Sequence, residues 1–505
     1  MNIISRLFGA PRAHALVDIR EPEWKLAPPR QVYQLLERYY DQNDLYTMVE
    51  NELRLRGQWM PAMQPLRNPA HRVVEFYVAK LWPGPLPDAL PIETENENII
   101  PAIHQLWTWS NWGARKQVAA RWLAIYGDLF IKVVARADRK RVYFQLIKPE
   151  YVTDFEVDER DYLTMCRIDT PTEDERGELV WHTEVWEKGE RENDPGTYRQ
   201  WTRERGGPEV EIDKLGTPDR QVPLSQFGID FVPIVHIKLR DVGDLRGRGA
   251  FFHALDKVDE ANRMATRLHQ MLFRYNKPTW VLAATGTDGD KRPLPPPVID
   301  GVSPSGTADV ADDDLLRLPG QTTLTSLVPD LNYADALKIL QDHMLELEKD
   351  LPELAYYRIR EMNQVSGVAV RTMLSDAIDR IQEARGVAES GLARADAMGL
   401  TIGAYLQLFP NLGGTYEDGA FDHTFAQRDV IPLTATEEAQ ASLQTVNRLI
   451  AMLELGLSRR EALRELGYTD AQIEQMADER REEGEDIGTT VLRGFDAGVS
   501  GGEEL

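Results

Sequence analysis

A single cysteine among 505 residues, Cys166, excludes an internal disulfide framework and any zinc site built on thiolates. Long apolar runs are missing as well. Even a stretch such as 231–237, interrupted by Pro233 and His236, falls far short of the roughly 20 residues that span a bilayer, so no membrane partner is expected. The first ten residues carry one Arg and a short apolar patch, without the succession of charge, apolar core and small residues of a secretory signal. The expectation is a cytoplasmic protein. Positive charge is in deficit: 58 Lys and Arg stand against 82 Asp and Glu, a formal net charge of −24. Ordinary duplex binding draws on clustered cations that displace condensed counterions, and this balance argues against it. Two readings of the acidity remain: a solubilising surface, or one that lets DNA slide without gripping it.

Catalytic signatures are also lacking. No G-x-x-x-x-G-K-[ST] or H-E-x-x-H occurs, the one G-x-S-x-G, at 498–502, lies in the Gly-rich tail without a strand before it, and none of the nine histidines pairs at a zinc-ligand spacing. His253 and Asp256 share a helix face, where they read as solvated neighbours. Asp312, Asp313 and Asp314 offer hard oxygen ligands, but an isolated acidic triplet reads more simply as a solvated loop. Asp128, after Gly127, reads as the opening of a strand rather than as a catalytic acid. Trp107, Trp109, Trp112 and Trp122 recur at helical spacing, which favours core packing over stacking on nucleobases. No cofactor and no metal are expected.

What is present is a sequence of elements. Residues 1–29 form an arm ending in Pro28 and Pro29. Helical periodicity covers 31–40 and 69–82, the second with Asn68 before Pro69 at its first turn. One or two helices fit 99–125. From Gly127 the period changes to two, and strands are expected at 129–135, 142–147, 152–157, 162–168, 180–186 and 198–202 as an antiparallel meander. A further strand at 231–240 contains Pro233, which marks an edge or a strand start. The class is α+β.

The second half is more distinctive. A helix at 251–275 places Phe251, Leu255, Val258, Ala265, Leu268, Leu272 and Tyr275 on roughly one face and Arg263, Arg267 and Arg274 on the other. An excursion rich in Pro, Gly and Asp follows over 277–332, with strands expected at 279–283 and 315–318. A returning helix carries Leu337, Leu340, Met344, Leu347 and Leu351 at alternating spacings of three and four, a seam that requires a partner helix. Two helices that leave a body, hold an insertion and return form a stalk. Residues 351–365 read as a loop bearing Tyr356, Tyr357, Arg358, Arg360, Asn363 and Gln364. From Ser366 to Leu408 no Pro interrupts one long helix, with Met373, Ala377, Ile381, Ala384, Ala388, Leu392, Ala395 and Gly399 on one face. The C-terminal part reads as short helices. Thr436 is a helix cap, and Ser458-Arg459-Arg460-Glu461 and Thr469-Asp470-Ala471-Gln472 match the capping box. The tail from 482 is acidic and Gly-rich, the composition of a disordered segment.

In order and spacing these elements resemble the portal proteins of tailed, siphovirus-like double-stranded DNA bacteriophages. The resemblance rests on Asn68-Pro69 before His71-Arg72-Val73-Val74, on Tyr126-Gly127-Asp128-Leu129-Phe130-Ile131-Lys132-Val133, and on Val232-Pro233-Ile234-Val235-His236. Gly247-Arg248-Gly249 before the first stalk helix and Ser366-Gly367-Val368-Ala369 at the long helix complete it. It covers roughly 30–480 and implies a wing over 30–250, a first stem helix over 251–276, a clip over 277–332 and a second stem helix over 333–350. A tunnel loop over 351–365, a long helix returning to the wing over 366–435, a helical crown over 436–482 and a tail over 483–505 follow. The implied function is a ring, typically of twelve subunits, at one capsid vertex of the virion, assembled in the host cytoplasm. Such a ring nucleates the procapsid with major capsid and scaffolding protein, docks the terminase large subunit and a head–tail adaptor protein, and passes double-stranded DNA. The resemblance puts Tyr356, Tyr357, Arg358, Arg360, Asn363 and Gln364 against DNA. Complementary charge then pairs Arg263, Arg267 and Arg274 with Asp342, Glu346 and Glu348 between neighbouring stems. The competing readings are a carboxylate- and metal-dependent phage nuclease or phosphotransferase, and another head–tail connector component.

Overall fold

The computed structural model describes residues 29–41, 67–136, 140–173, 177–189, 194–203, 210–276, 280–284, 322–326, 333–361, 367–410, 412–416, 418–431 and parts of 444–476. The chain divides into two units, one of Met1–Gln364 with Arg371–Val430, the other of Val365–Val370 with Ile431–Leu505.

In the first unit α1 (Pro29–Asp41) and α2 (Pro69–Leu81) lie where periodicity places them. Asn68 caps α2, its Oδ1 accepting from the His71 N–H at 2.9 Å, and Pro69 occupies the first turn, where an N–H would have no helical partner. After the short strand β1 (Ile92–Glu93), the helical run over 99–125 divides into α3 (Ile99–Trp109) and α4 (Trp112–Tyr126). The division falls at Asn111, in the left-handed conformation that Asn tolerates better than most residues (φ 50°). Trp107 and Trp112 are buried between these helices and their neighbours, as the core reading of the Trp cluster expects, whereas Trp109 and Trp122 are only half-buried.

The expected meander is two sheets rather than one. β2 (Asp128–Arg136), β3 (Arg141–Ile147) and β9 (Ile234–Lys238) form an antiparallel sheet in the order β3-β2-β9. β4 (Val152–Val157), β5 (Leu163–Glu173), β6 (Leu179–Glu187), β7 (Thr197–Arg203) and β8 (Arg220–Pro223) form a second, each strand beside the next. The physical reason lies in β2. Leu129, Phe130, Ile131 and Val133 are all buried, so both faces of the strand need cover. The face of Phe130 meets the second sheet, with its ring edge-on to Phe155 at 5.5 Å, while the other face lies under a long helix described below. β9 starts immediately after Pro233 and is an edge strand. β8 carried too little apolar alternation to be expected.

A turn of 3₁₀ helix (Phe252–Ala254) leads into α5 (Leu255–Asn276). β10 (Trp280–Ala284) and β11 (Thr322–Ser326) pair antiparallel, and α6 (Tyr333–Asp350) follows. The strand expected at 315–318 and the acidic triplet at 312–314 lie outside the described residues. The segment expected as a loop from 351 is helical over its first part: a 3₁₀ turn at Pro352–Leu354, then α7 (Ala355–Glu361). Pro352 opens that turn at a position where a missing N–H is harmless. The expected single helix over 366–408 is interrupted at Leu374 (φ −106°, ψ 11°) into α8 (Gly367–Met373) and α9 (Ser375–Tyr405). α9 has 31 residues, about 46 Å at the usual rise. Ala377, Ile381, Ala384, Ala388, Leu392, Ala395 and Gly399 are buried along it as predicted, whereas Met373 is exposed. Small residues bring α9 close to its neighbours: a Cβ at Gly391 would stand 2.5 Å from Ile237 Cδ1 on β9. β12 (Thr424–Phe425) pairs with β1.

In the second unit α10 (Arg459–Glu465) begins with the expected capping box. Glu461 N donates to Ser458 Oγ, and Ser458 N donates back to Glu461 Oε2 at 3.1 Å. Thr436 and the second capping box lie outside the described residues, as do the arm over 1–28 and the tail.

Candidate functional site: a rooted helix pair and the groove beside it

α5 and α6 pack antiparallel. Ala265, Leu268 and Leu340 form a buried cluster, flanked by Met264, Ala336 and Leu337, and Leu347 and Leu351 are buried further along the same seam. Lys257 Nζ pairs with the Asp350 carboxylate at 2.5 Å, and His343 Nε2 donates to Lys257 O at 3.1 Å. These cross-links fix the register at the end of the pair that joins the body.

The root is unusually polar: Tyr39, Asp259, Asn262 and Glu353 are buried in it, and His253 lies at its exposed edge. Tyr39 Oη donates to Asp259 at 2.8 Å, tying α5 to α1. Asn262, fully buried, accepts from Arg67 N at 2.7 Å and donates to Arg67 O at 3.2 Å, so one amide satisfies both backbone groups of the residue that enters α2. Glu353 is buried beneath Tyr77, whose Oη donates to it at 3.2 Å, with Arg380 of α9 at 3.5 Å. His253 Nε2 donates to Asp350 O at 3.0 Å while its Nδ1 faces the Arg240 guanidinium at 3.3 Å. Burial, then the neighbouring arginines, hold the His253 pKa below its ordinary value of 6.5, although the Asp350 carbonyl partly opposes them. His253 thus has its partners on other elements, not in Asp256.

Upstream of the root, two of the sequence motifs meet. Asp128 is fully buried and accepts from Tyr33 Oη at 2.5 Å, His236 Nε2 at 2.7 Å and Gly247 N at 2.8 Å. The Gly247-Arg248-Gly249 segment crosses the end of α4 so closely that side chains are excluded there. A Cβ at Gly127 would lie 2.7 Å from Arg248 Cα and nearer still to its carbonyl carbon, and one at Gly249 would lie 3.1 Å from the Ile125 carbonyl carbon. Asp128 is therefore a positioning acceptor for the segment that leads into α5. Its signal in the sequence was an acid at the head of an otherwise apolar strand. Asn262 gave a similar signal, an amide amid the apolar positions of its helix.

The residues predicted for the channel are distributed as follows. Tyr356 and Tyr357 lie on α7 and pack edge-to-face on each other at 5.6 Å. Tyr356 also rests on Phe76 at 5.3 Å, and Tyr357 Oη donates to Arg72 O at 2.9 Å, so both tyrosines pin α7 to α2. Lys80 lies over the Tyr356 ring and Arg72 over that of Tyr357. Arg358 pairs with Glu348 at 2.8 Å. Arg360 is on α7, with its side chain outside the described residues, and Asn363 and Gln364 are outside them entirely.

Of the predicted stem charges, Arg263 pairs with Glu260 on its own helix at 2.7 Å and Glu346 with Lys349 at 2.7 Å. Arg267 and Asp342 are exposed, and Arg274 lies on α5 with its side chain outside the described residues. Within one chain, then, the described arginines of α5 do not bond to the predicted acids of α6. Between α2, α6 and α7 lies an open groove of about 550 Å³ whose mouth carries Arg67, Arg72 and Arg358. Among the described residues no group of three His, Cys, Asp or Glu stands close enough to hold a metal, and no helix is long and apolar enough to cross a membrane.

The fold is thus an α+β body of two antiparallel sheets and covering helices from which a helix pair emerges. No family model matches the chain, and no curated protein matches it. Among solved structures it is similar to the neck of a native GTA particle computed with C12 symmetry, at 11% identity and a TM-score of 0.41 over 80% of this chain and 90% of that one. It is similar also to the virion of a native gene transfer agent (GTA) particle, at 11% identity and a TM-score of 0.40 over the same shares. The neck of an empty GTA particle computed with C6 symmetry follows at 12% identity and a TM-score of 0.40, again over 80% and 90%.

Proposed function

We propose that this chain is the subunit of a portal ring, a structural conduit for double-stranded DNA at one vertex of a phage-like capsid, with no catalytic step of its own. The observation that carries the reading is the antiparallel α5–α6 pair. It is rooted in the body by buried polar contacts and carries the β10–β11 ribbon between the end of one helix and the start of the other. In this reading the two sheets with α1–α4 and α9 are the wing, α5 and α6 the stem, the β10–β11 region the clip, and α7 the DNA-facing segment. The reading assigns a crown to 436–482, most of which lies outside the described residues. The root matches a load-transmitting role, because a stem that surrounds a moving polymer needs a base that does not hinge. The acidic surface matches a bore that DNA traverses without being held, since each phosphate contact adds affinity. Terminase large subunit, a head–tail adaptor, and capsid and scaffolding proteins are the partners the reading requires.

Sedimentation velocity of the purified chain over a wide concentration range tests it. A discrete species near twelve times the monomer mass is expected. A chain that stays monomeric at every concentration, with or without scaffolding protein, refutes it.

A further inference from the structure

Two large apolar side chains are exposed on α6, Ile339 at 59% and Leu345 at 46%, and a lone stalk would have no use for either. They lie on different sides of the helix. Leu345 lines the groove, together with Leu337 and Met344. Ile339 lies on a stripe with Asp335, Asp342 and Glu346, all exposed and spaced by three or four residues. At 3.6 residues per turn the middle of this stripe is about 150° around the helix from Leu337, Gln341, Met344 and Glu348. α6 therefore borders an arginine-rimmed groove on one side and carries an exposed, acidic, Ile-bearing stripe on the other.

The charges of the two are complementary. Among the described residues that line the groove, Arg67, Arg72 and Arg358 stand against Glu348, in a chain whose net charge is −24. Arg72 lies over the Tyr357 ring, 5.7 Å from its centroid, and Arg358 pairs with Glu348 at 2.8 Å, so two of the three cations have a partner within the chain that directs them to the groove. The opposite stripe offers carboxylates at Asp335, Asp342 and Glu346. Lys349 lies beyond Glu346, but an exposed pair of this kind neutralises little. A groove and its complement on opposite sides of one helix make a head-to-tail contact, which is heterologous and closes into a ring when its rotation allows.

We infer that the groove between α2, α6 and α7 receives the Asp335–Ile339–Asp342–Glu346 stripe of a second copy of this chain. Ile339 enters beside Leu337, Met344 and Leu345, and the carboxylates meet Arg67 and Arg72. This rests on the ring reading above and deepens it: the cations that meet the acidic stripe belong to the groove, not to the outer face of α5.

The test uses the full chain and two charge-reversed variants, Arg67→Glu/Arg72→Glu in the groove and Asp342→Lys/Glu346→Lys on the stripe. In sedimentation velocity each alone should raise the concentration needed for assembly about tenfold or more. An equimolar mixture should restore assembly, because each variant's groove then suits the other's stripe and the two alternate around the ring. Ile339→Ser, which leaves the charges alone, should raise the threshold about threefold. Arg263→Glu/Arg267→Glu should leave it within about twofold. The inference is overturned if wild type forms rings and both reversed variants assemble as readily. It is equally overturned if the mixture stays dissociated while both variants keep the wild-type thermal melt. A wild type that never assembles refutes the ring reading itself, an outcome separate from these.

Discussion

Replacing Gly127 by Ala should loosen the root of the helix pair from a distance. Gly127 ends α4 at φ 81°, a conformation that costs a residue with a Cβ about 1 kcal/mol or more. The added Cβ would lie 2.7 Å from Arg248 Cα and nearer to the adjoining backbone, against an ordinary contact of 3.4 Å or more. The opposing atoms are main chain, so the strain cannot be relieved by turning a side chain. The crossing segment must move, and it is held by Leu239 N to Gly127 O at 2.7 Å, Ala250 N to Ala124 O at 2.8 Å and Gly247 N to Asp128 Oδ1 at 2.8 Å. Stretching two of these past useful length loses about 1 kcal/mol each. The total is about 3 kcal/mol, a large share of the margin by which domains are stable. Urea unfolding followed by Trp fluorescence and far-UV circular dichroism measures it. An unfolding free energy within about 0.5 kcal/mol of wild type would refute the argument from close approach.

Gly386 lies within α9, and no atom comes within 4 Å of the place a methyl group would take there, so Gly386→Ala should stabilise by about 0.5–1 kcal/mol in the same urea experiment. His253 is held neutral below its ordinary pKa of 6.5, so its contribution to stability is complete above pH 6.5 and is lost as the pH falls through 6.5 toward the depressed folded value. Hydrogen exchange at the end of α6 should therefore quicken on acidification below 6.5, and His253→Gln should remove that part of the pH slope. Burial pushes the Cys166 thiol up to about 12, so it should resist a thiol reagent at pH 8 in the folded chain and react fully in urea.

The helices with one apolar face were legible from periodicity. Most of the α6 seam and the small-residue face of α9 follow the periodicity, except that Met344 lines the groove and that α9 is buried on all sides from Ala395 to Gly403. What periodicity does not encode is which strand pairs with which. β9 lies far along the chain from β2, and nothing local to 234–238 distinguishes joining β2 from extending β8. The segment from 351 was read as a loop because Pro352 and two tyrosines obscure a helix of only seven residues, whose stability comes from packing on α2. At the candidate site the sequence singled out the charged residues of α5, α6 and α7. It did not reveal that Tyr356 and Tyr357 are anchors for α7, or that Arg67 and Arg72, distant in sequence, share a groove with Arg358. The glycine motifs were noticed separately, and only the fold explains them together, since Gly127 and Gly249 make room for one backbone crossing.

Negative-stain electron microscopy of the purified chain tests the central claim most directly. The account predicts ring-shaped particles with a central hole and a narrower stalk on one side. Compact single-chain particles under every assembly condition, including added scaffolding protein, would contradict it.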